Sequence, residues 1–313
     1  MSGASGFVGS NVLRYLLLKT DWRFTLISSW RHRGSPLRLV DNIDRTRIAV
    51  VTHDLRGPIP EFGVTFDYIL NFASDSHVDR SIEDPVATIE NNVSSTLSML
   101  EYARHHRPRA FLQFSTDEVY GAAPFRETTA DSIEEWSAPV LPSNPYAASK
   151  AAQEAIGISY WRTYRVPVII TNSNNIVGPR QDTEKFVPKI IHLVRLGVEV
   201  PIHVGPDGQP GVRYYNPVVN VASAVRFVLR RAQPFVNGWP ERYNLPGGER
   251  RSNLELAEEI ARIMGRDLQY RLVEGSATRP GYDDEYAHLE GRLTNMGWKP
   301  PSTLNACLRQ VVG

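Results

Sequence analysis

Gly3-Ala4-Ser5-Gly6-Phe7-Val8-Gly9-Ser10 is the stretch whose reading decides the fold. Glycines at this spacing let the backbone turn tightly and approach a pyrophosphate. The amphipathic run Val8–Leu18 places a helix N-terminus behind the turn, where backbone N–H groups stabilise an anion. A glycine triplet also occurs in plain turns, so its surroundings must carry the reading. Working outward, apolar, β-branched runs at Phe24–Ile27, Ile48–Val51, Tyr68–Phe72, Ala110–Phe114 and Val168–Thr171 alternate with helical patterns at Val8–Leu18, Ala87–His105 and Ala147–Tyr164. Nearly continuous apolar strands separated by helices predict a parallel sheet covered on both faces.

The expected class is therefore α/β, a Rossmann-type doubly wound parallel sheet. After Asn172 the pattern loosens into Pro- and Gly-rich connections, with helices near Glu184–Leu196, Val221–Arg231, Leu254–Met264 and Thr303–Val312. Ser252-Asn253-Leu254-Glu255 has the spacing of a capping box. We expect a dinucleotide-binding domain over 1–172, to which 217–240 returns, and a smaller, interleaved C-terminal substrate lobe mainly over 173–313. The first strand is expected to be missing, because the chain begins two residues before Gly3. A sheet without its central strand leaves ladder groups unpaired, so a preceding segment of about six to eight residues is expected. The stop soon after Gly297-Trp298-Lys299-Pro300 is read as a second truncation.

Bulk properties exclude several classes. Thirty-five Lys and Arg against thirty-four Asp and Glu give no field favouring nucleic acid. The apolar runs are too short to span a bilayer, no signal peptide is evident, and the single Cys307 fits a reducing compartment, so cytoplasmic residence is expected. No metal is expected.

At the cofactor edge, Ser28-Ser29-Trp30-Arg31-His32-Arg33 follows the strand where an NAD-binding fold normally places Asp or Glu. Hydroxyls and guanidiniums there suit a 2′-phosphate and lean towards NADP, while solvated loop charges are the equal alternative. Asp54-Leu55 follows the next strand, placing a carboxylate where it can accept from an adenine amino group.

Tyr146-Ala147-Ala148-Ser149-Lys150 sets a phenol and an ammonium one helical turn apart, where the cation is expected to lower the Tyr pKa. Ser115-Thr116-Asp117-Glu118 ends a strand, the end at which such folds bind ligands. Together they supply an acid and a base in different environments.

These residues carry a resemblance. The chain resembles the dTDP-glucose 4,6-dehydratase family of extended short-chain dehydrogenases nearly end to end. Beyond the glycine turn it shares Asn71-Phe72-Ala73-Ser74-Asp75-Ser76-His77-Val78-Asp79-Arg80-Ser81, Phe114-Ser115-Thr116-Asp117-Glu118-Val119-Tyr120-Gly121, Asn144-Pro145-Tyr146-Ala147-Ala148-Ser149-Lys150, Asn174-Asn175, Glu184-Lys185-Phe186-Val187-Pro188, Arg213 and Arg279-Pro280-Gly281. The resemblance implies a nucleotide-sugar 4,6-dehydratase that oxidises an NDP-hexose, eliminates water and re-reduces it on bound NAD or NADP. It implies Tyr146, Lys150, Thr116, Asp117 and Glu118 as catalytic residues: Tyr146 takes the proton of the sugar 4-hydroxyl, Thr116 bonds that oxygen, Glu118 removes the proton on carbon 5, and Asp117 donates to the departing 6-hydroxyl. Cofactor contacts fall to Gly3, Gly6, Phe7, Gly9, Ser28, Arg31, Asp54, Leu55, Phe72 and Ala73 with Tyr146 and Lys150. Substrate contacts fall to Ser76, Asn175, Lys185, Arg213 and Arg279, the two arginines on the diphosphate. His77 reads better as a hydrogen-bonded structural histidine. A homodimer packing helices Ala87–His105 and Ala147–Tyr164 is also implied.

The chain departs from the family at Ser28, Ile176, Val177, Tyr214 and Asn220. These positions bear on nucleotide, sugar and cofactor, and leave the reacting set intact. Two other readings stay open: an epimerase or decarboxylase of the same fold, and a cofactor-binding chain without turnover that serves a regulatory or structural role.

Overall fold

In the computed structural model, residues 1–31, 34–39, 44–121, 132–133, 136, 139–235, 238–274, 288–289 and 292–313 are described. The strands in chain order are β1 (Phe24–Ser28), β2 (Ile48–Thr52), β3 (Tyr68–Asn71), β4 (Ala110–Thr116), β5 (Ser132–Ile133), β6 (Val168–Ser173), β7 (Asn175–Val177), β8 (Val200–Val204), β9 (Val212–Pro217), β10 (Glu241–Leu245), β11 (Glu249–Ser252), β12 (Tyr270–Glu274) and β13 (His288–Leu289). The main helices are α1 (Phe7–Lys19), α2 (Val78–Glu83), α3 (Pro85–His106), α4 (Pro145–Tyr164), α5 (Phe186–Leu196), α6 (Val218–Arg231) and α7 (Asn253–Ile263).

β2 pairs with β1, and β3, β4, β6 and β10 follow in order, every pairing parallel. Met1 and Ser2 lie in the slot between β1 and β3. Ser2 makes parallel bridges to both Ile27 and Asn71. The Met1 ammonium donates to Thr25 O at 2.8 Å, Ile27 N donates to Met1 O at 2.9 Å, and Ser2 N donates to Leu70 O at 2.9 Å. The position expected to lack a strand is thus bridged by these two residues, which satisfy ladder groups on either side.

The parallel sheet has the predicted two-sided cover. α1 and α6 pack on one face around Val12, Leu13, Leu16, Val221 and Val225; α3 and α4 pack on the other around Leu100, Phe111, Trp161 and Val168. Val168–Ser173 is buried throughout, which is why its first half, Val168–Ile170, reads as an unbroken apolar run. α6 starts at Val218, three residues ahead of the sequence expectation, because Pro217 serves as its N-cap and Val218 is already buried. The remaining elements form a second core around Ile190, Val194, Ile202, Leu256, Ile260 and Leu308, drawn from α5, β8, α7 and the terminal helix Leu304–Val312. α7 carries the full capping box, Ser252 Oγ accepting from Glu255 N and Glu255 Oε2 accepting from Ser252 N.

Candidate active site

The carboxyl ends of the strands open into one cleft. At its floor, Gly3 takes φ +66°, and a Cβ there would lie 2.6 Å from Ala73 N and from the Phe72 carbonyl carbon. A Cβ on Gly9 would lie 2.2 Å from Gly3 O. Only glycine permits both approaches. α1 then begins at Phe7 with no side-chain cap and no acid in its first turn, leaving its N–H groups facing the cleft as a site for an anion. These features fit a dinucleotide.

At the Ser28 edge of the cleft, two of the expected cofactor contacts meet each other. Arg31 and Asp54 both line the cleft, yet they are bound to each other: Arg31 Nη1 donates to Asp54 Oδ2 at 2.6 Å, and Arg56 Nη2 donates to the same oxygen at 2.7 Å. Hydrogen bonds from Arg56, then Arg31, hold the Asp54 carboxyl well below the usual carboxylate range. Ser28 is buried, its hydroxyl 2.8 Å from Ser5 Oγ. Position 28 carries a serine, and two guanidiniums flank Asp54.

The reacting set converges around the end of β4. Asp117 is buried; its Oδ2 accepts from Asn174 Nδ2 at 2.7 Å and its Oδ1 from Thr116 Oγ1 at 3.1 Å. Burial first, and the neighbouring Glu118 second, push Asp117 up to about 7. Glu118 Oε2 accepts from Asn144 Nδ2 at 3.2 Å. Asn144 also caps α4, its Oδ1 accepting from Ala147 N at 2.9 Å, and Tyr146 N donates to Ser81 Oγ at 3.1 Å. The cap and the Ser81 contact fix the first turn of the helix that carries Tyr146 and Lys150.

A correction concerns Lys150. Its ammonium was expected to lower the Tyr146 pKa. Instead Lys150 Nζ donates to Phe114 O and Gln153 Oε1, both at 2.6 Å. Burial, followed by the Glu118 and Asp117 charges, raises the Tyr146 phenol above its ordinary value, against a lowering hydrogen bond with Thr116. Burial pulls Lys150 down to about 7, with the Glu154 carboxylate opposing.

On the far wall, Lys185 Nζ donates to Ser76 O at 3.1 Å, Asn175 is exposed at the start of β7, and the buried Arg213 reaches the cleft from β9. His77 caps α2 through Nδ1, which accepts from Arg80 N, and its Nε2 lies 3.0 Å from Glu184. Of the sequence-predicted residues, all that are described line this single cleft. Arg279 lies outside the described residues. Sequence reading did not single out Asn144 and Asn174 as site residues. Both stood within quoted motifs, and Asn before Pro at a helix start was the available signal for Asn144.

Comparison with known proteins agrees with this geometry. The family model for GDP-mannose 4,6 dehydratase matches residues 1–311. The chain is 34% identical to the low-salt glycan biosynthesis protein Agl12 of Haloferax volcanii, over 100% of this chain and 98% of that protein. It is 30% identical to dTDP-glucose 4,6-dehydratase 1 of Escherichia coli K12, over 100% and 91% respectively. The crystal structure of DesIV, a dTDP-glucose 4,6-dehydratase from Streptomyces venezuelae with NAD bound, superposes with a TM-score of 0.84 at 30% identity, covering 99% of this chain and 94% of that one. With the family model spanning nearly its whole length, the chain belongs to the GDP-mannose 4,6 dehydratase family, within the extended short-chain dehydrogenases that hold nucleotide-sugar dehydratases and epimerases.

Proposed function

We propose that the protein is an NAD(P)-dependent nucleotide-sugar 4,6-dehydratase, converting an NDP-hexose to the NDP-4-keto-6-deoxyhexose. The observation that carries this reading is the adjacent Asp117 and Glu118, each oriented by its own asparagine beside Tyr146, with the buried Asp117 raised to about 7. An elimination needs a base and an acid at once, and a carboxyl kept protonated near neutrality beside a second carboxylate supplies both.

Glu118 removes the carbon-5 proton once a ketone at carbon 4 acidifies it. Asp117 gives its proton to the leaving 6-hydroxyl. Tyr146 takes the 4-hydroxyl proton, with Thr116 bonding the same oxygen. An oxidised nicotinamide, when bound, would supply the hydride acceptor. In this reading residues 1–172 with 217–240 hold the dinucleotide, through the Gly3–Gly9 turn, Phe7, Leu55, Phe72 and Ala73. Residues 173–313 hold the nucleotide sugar through Asn175, Lys185, Arg213 and Arg279, with Ser76 opposite.

Relatives named for dTDP-glucose support a dTDP- or similar hexose, and the glycan biosynthesis relative supports a product destined for a glycan. Apolar side chains left exposed on α3 (Val86, Ile89, Leu97), together with Tyr164 on α4, support a homodimer through these helices. Among the described residues no helix is long and apolar enough to cross a membrane, and a cytoplasmic enzyme is the reading we adopt.

The test is incubation with dTDP-, UDP- and GDP-hexoses and mass spectrometry of products and copurified cofactor. A 4-keto-6-deoxy product is expected. An epimer, a decarboxylated pentose, or retained cofactor with no product would replace the reading. Glu118→Gln should stop elimination while leaving partial oxidation.

A further inference from the structure

Behind the reacting groups, one polar network crosses the core. Asn71 on β3, Gln113 on β4 and Gln153 on α4 are fully buried. Ser2 Oγ donates to Asn71 Oδ1 at 2.6 Å, Asn71 Nδ2 to Gln113 Oε1 at 2.9 Å, and Gln113 Nε2 to Gln153 Oε1 at 3.2 Å. Lys150 Nζ meets the same Gln153 oxygen at 2.6 Å. Gln153 Nε2 donates to the Asn92 backbone carbonyl at 2.8 Å.

The direction of every amide follows from one end. An ammonium only donates, so Gln153 must turn its oxygen to Lys150 and its nitrogen to a pure acceptor, which the Asn92 carbonyl is. Gln113 then presents its nitrogen to Gln153 and its oxygen to Asn71, and Asn71 presents its oxygen to Ser2. The Gln153 carboxamide turns its negative end to Nζ and so stabilises positive charge there, while Gln113 and Asn71 fix which way that carboxamide faces.

We propose that Gln153 is a positioning residue for Lys150, its carboxamide oxygen holding the ammonium in place and favouring its charged form, with Gln113 and Asn71 fixing the orientation of that carboxamide. The inference rests on the proposed function, in which Lys150 belongs to the reacting set and contacts the cofactor. Gln153 itself touches neither substrate nor cofactor.

The chain has five lysines, Lys19, Lys150, Lys185, Lys189 and Lys299, so 13Cε-lysine labelling of the full protein gives a spectrum in which Lys150→Arg assigns one resonance. Titration of that resonance, without substrate, reads the Lys150 proton affinity directly. Gln153→Met removes the acceptor and should weaken it by about tenfold, one pKa unit. Gln153→Glu keeps the acceptor, adds a negative charge and should strengthen it. Opposite shifts support the proposal. Midpoints that stay put, or move the same way in both variants, overturn it, because a space-filling side chain does not respond to the sign of a charge. Should the Met variant fail to fold, Gln153→Asn, whose amide falls short of Nζ, decides the matter by the same downward shift. A chain whose Lys150 responds as described yet forms no keto sugar overturns the functional reading alone.

Discussion

Asn144 holds Glu118 and caps the helix of Tyr146 with the two ends of one amide: its nitrogen lies 3.2 Å from Glu118 Oε2 and its oxygen 2.9 Å from Ala147 N. Glu118 and the helix of Tyr146 are thereby set relative to each other by a single side chain. Asn144→Asp keeps the capping oxygen but sets a carboxylate against Glu118. Its thermal midpoint should stay near that of the parent while kcat for dehydration falls at least about tenfold, equivalent to ~1.4 kcal/mol. Asn144→Ala should lose the same activity and also about 0.5–2 kcal/mol of stability. Urea unfolding alongside product assay separates the two effects.

The pH dependence follows from Asp117. A carboxyl raised to about 7 by burial and by Glu118 carries its proton below that pH and loses it above. In the proposed elimination, donation by Asp117 to the 6-hydroxyl is available on the acid side and falls as pH rises through about 7. The stability contribution has the same sign, full below the ordinary carboxylate value and lost as pH rises through the folded value. A kcat profile for dehydration should show this alkaline limb, and Asp117→Asn should show low activity without it.

Gly9→Ala tests the turn. Its new methyl would fall 2.2 Å from Gly3 O, a backbone atom that cannot yield without opening the turn. Cofactor affinity measured by calorimetry should drop by at least about tenfold, with a stability loss of about 1–3 kcal/mol.

Buried Arg242 is paired with buried Glu154, which also accepts from Asn172 Nδ2 at 2.7 Å. Arg242→Met strands the carboxylate and should cost about 3–5 kcal/mol in denaturant unfolding. The double variant Glu154→Leu with Arg242→Met should regain most of that loss, because the desolvated charge has gone.

Cofactor choice is expected to turn on Ser28. Introducing a carboxylate by Ser28→Asp supplies an acceptor for ribose hydroxyls and repels a 2′-phosphate. The ratio of NAD to NADP affinity should rise at least about tenfold, and an unchanged ratio would remove Ser28 from the recognition of the ribose.

Much of this was legible from local spacing. The glycine turn, the strand runs and Tyr146 four residues before Lys150 are patterns within one turn or one strand, and period and residue type suffice to read them. The capping box at Ser252 was read the same way. The Arg31–Asp54 pairing was not, because two residues each suited to a ligand are equally suited to one another, and 23 positions separate them.

The sequence by itself determined the α/β order of elements, the glycine approach to the strand ends, and which acids, hydroxyls and amines stand at those ends. The tertiary structure alone decided how they are oriented. Asn174 reaches Asp117 across 57 positions and Ser2 reaches Asn71 across 69. Met1 and Ser2, too short to be read as a strand, bridge the central slot because the sheet on both sides offers unpaired groups. Burial of Tyr146, Lys150 and Asp117 likewise belongs to the fold, since desolvation depends on everything packed around a group and not on its neighbours in the chain.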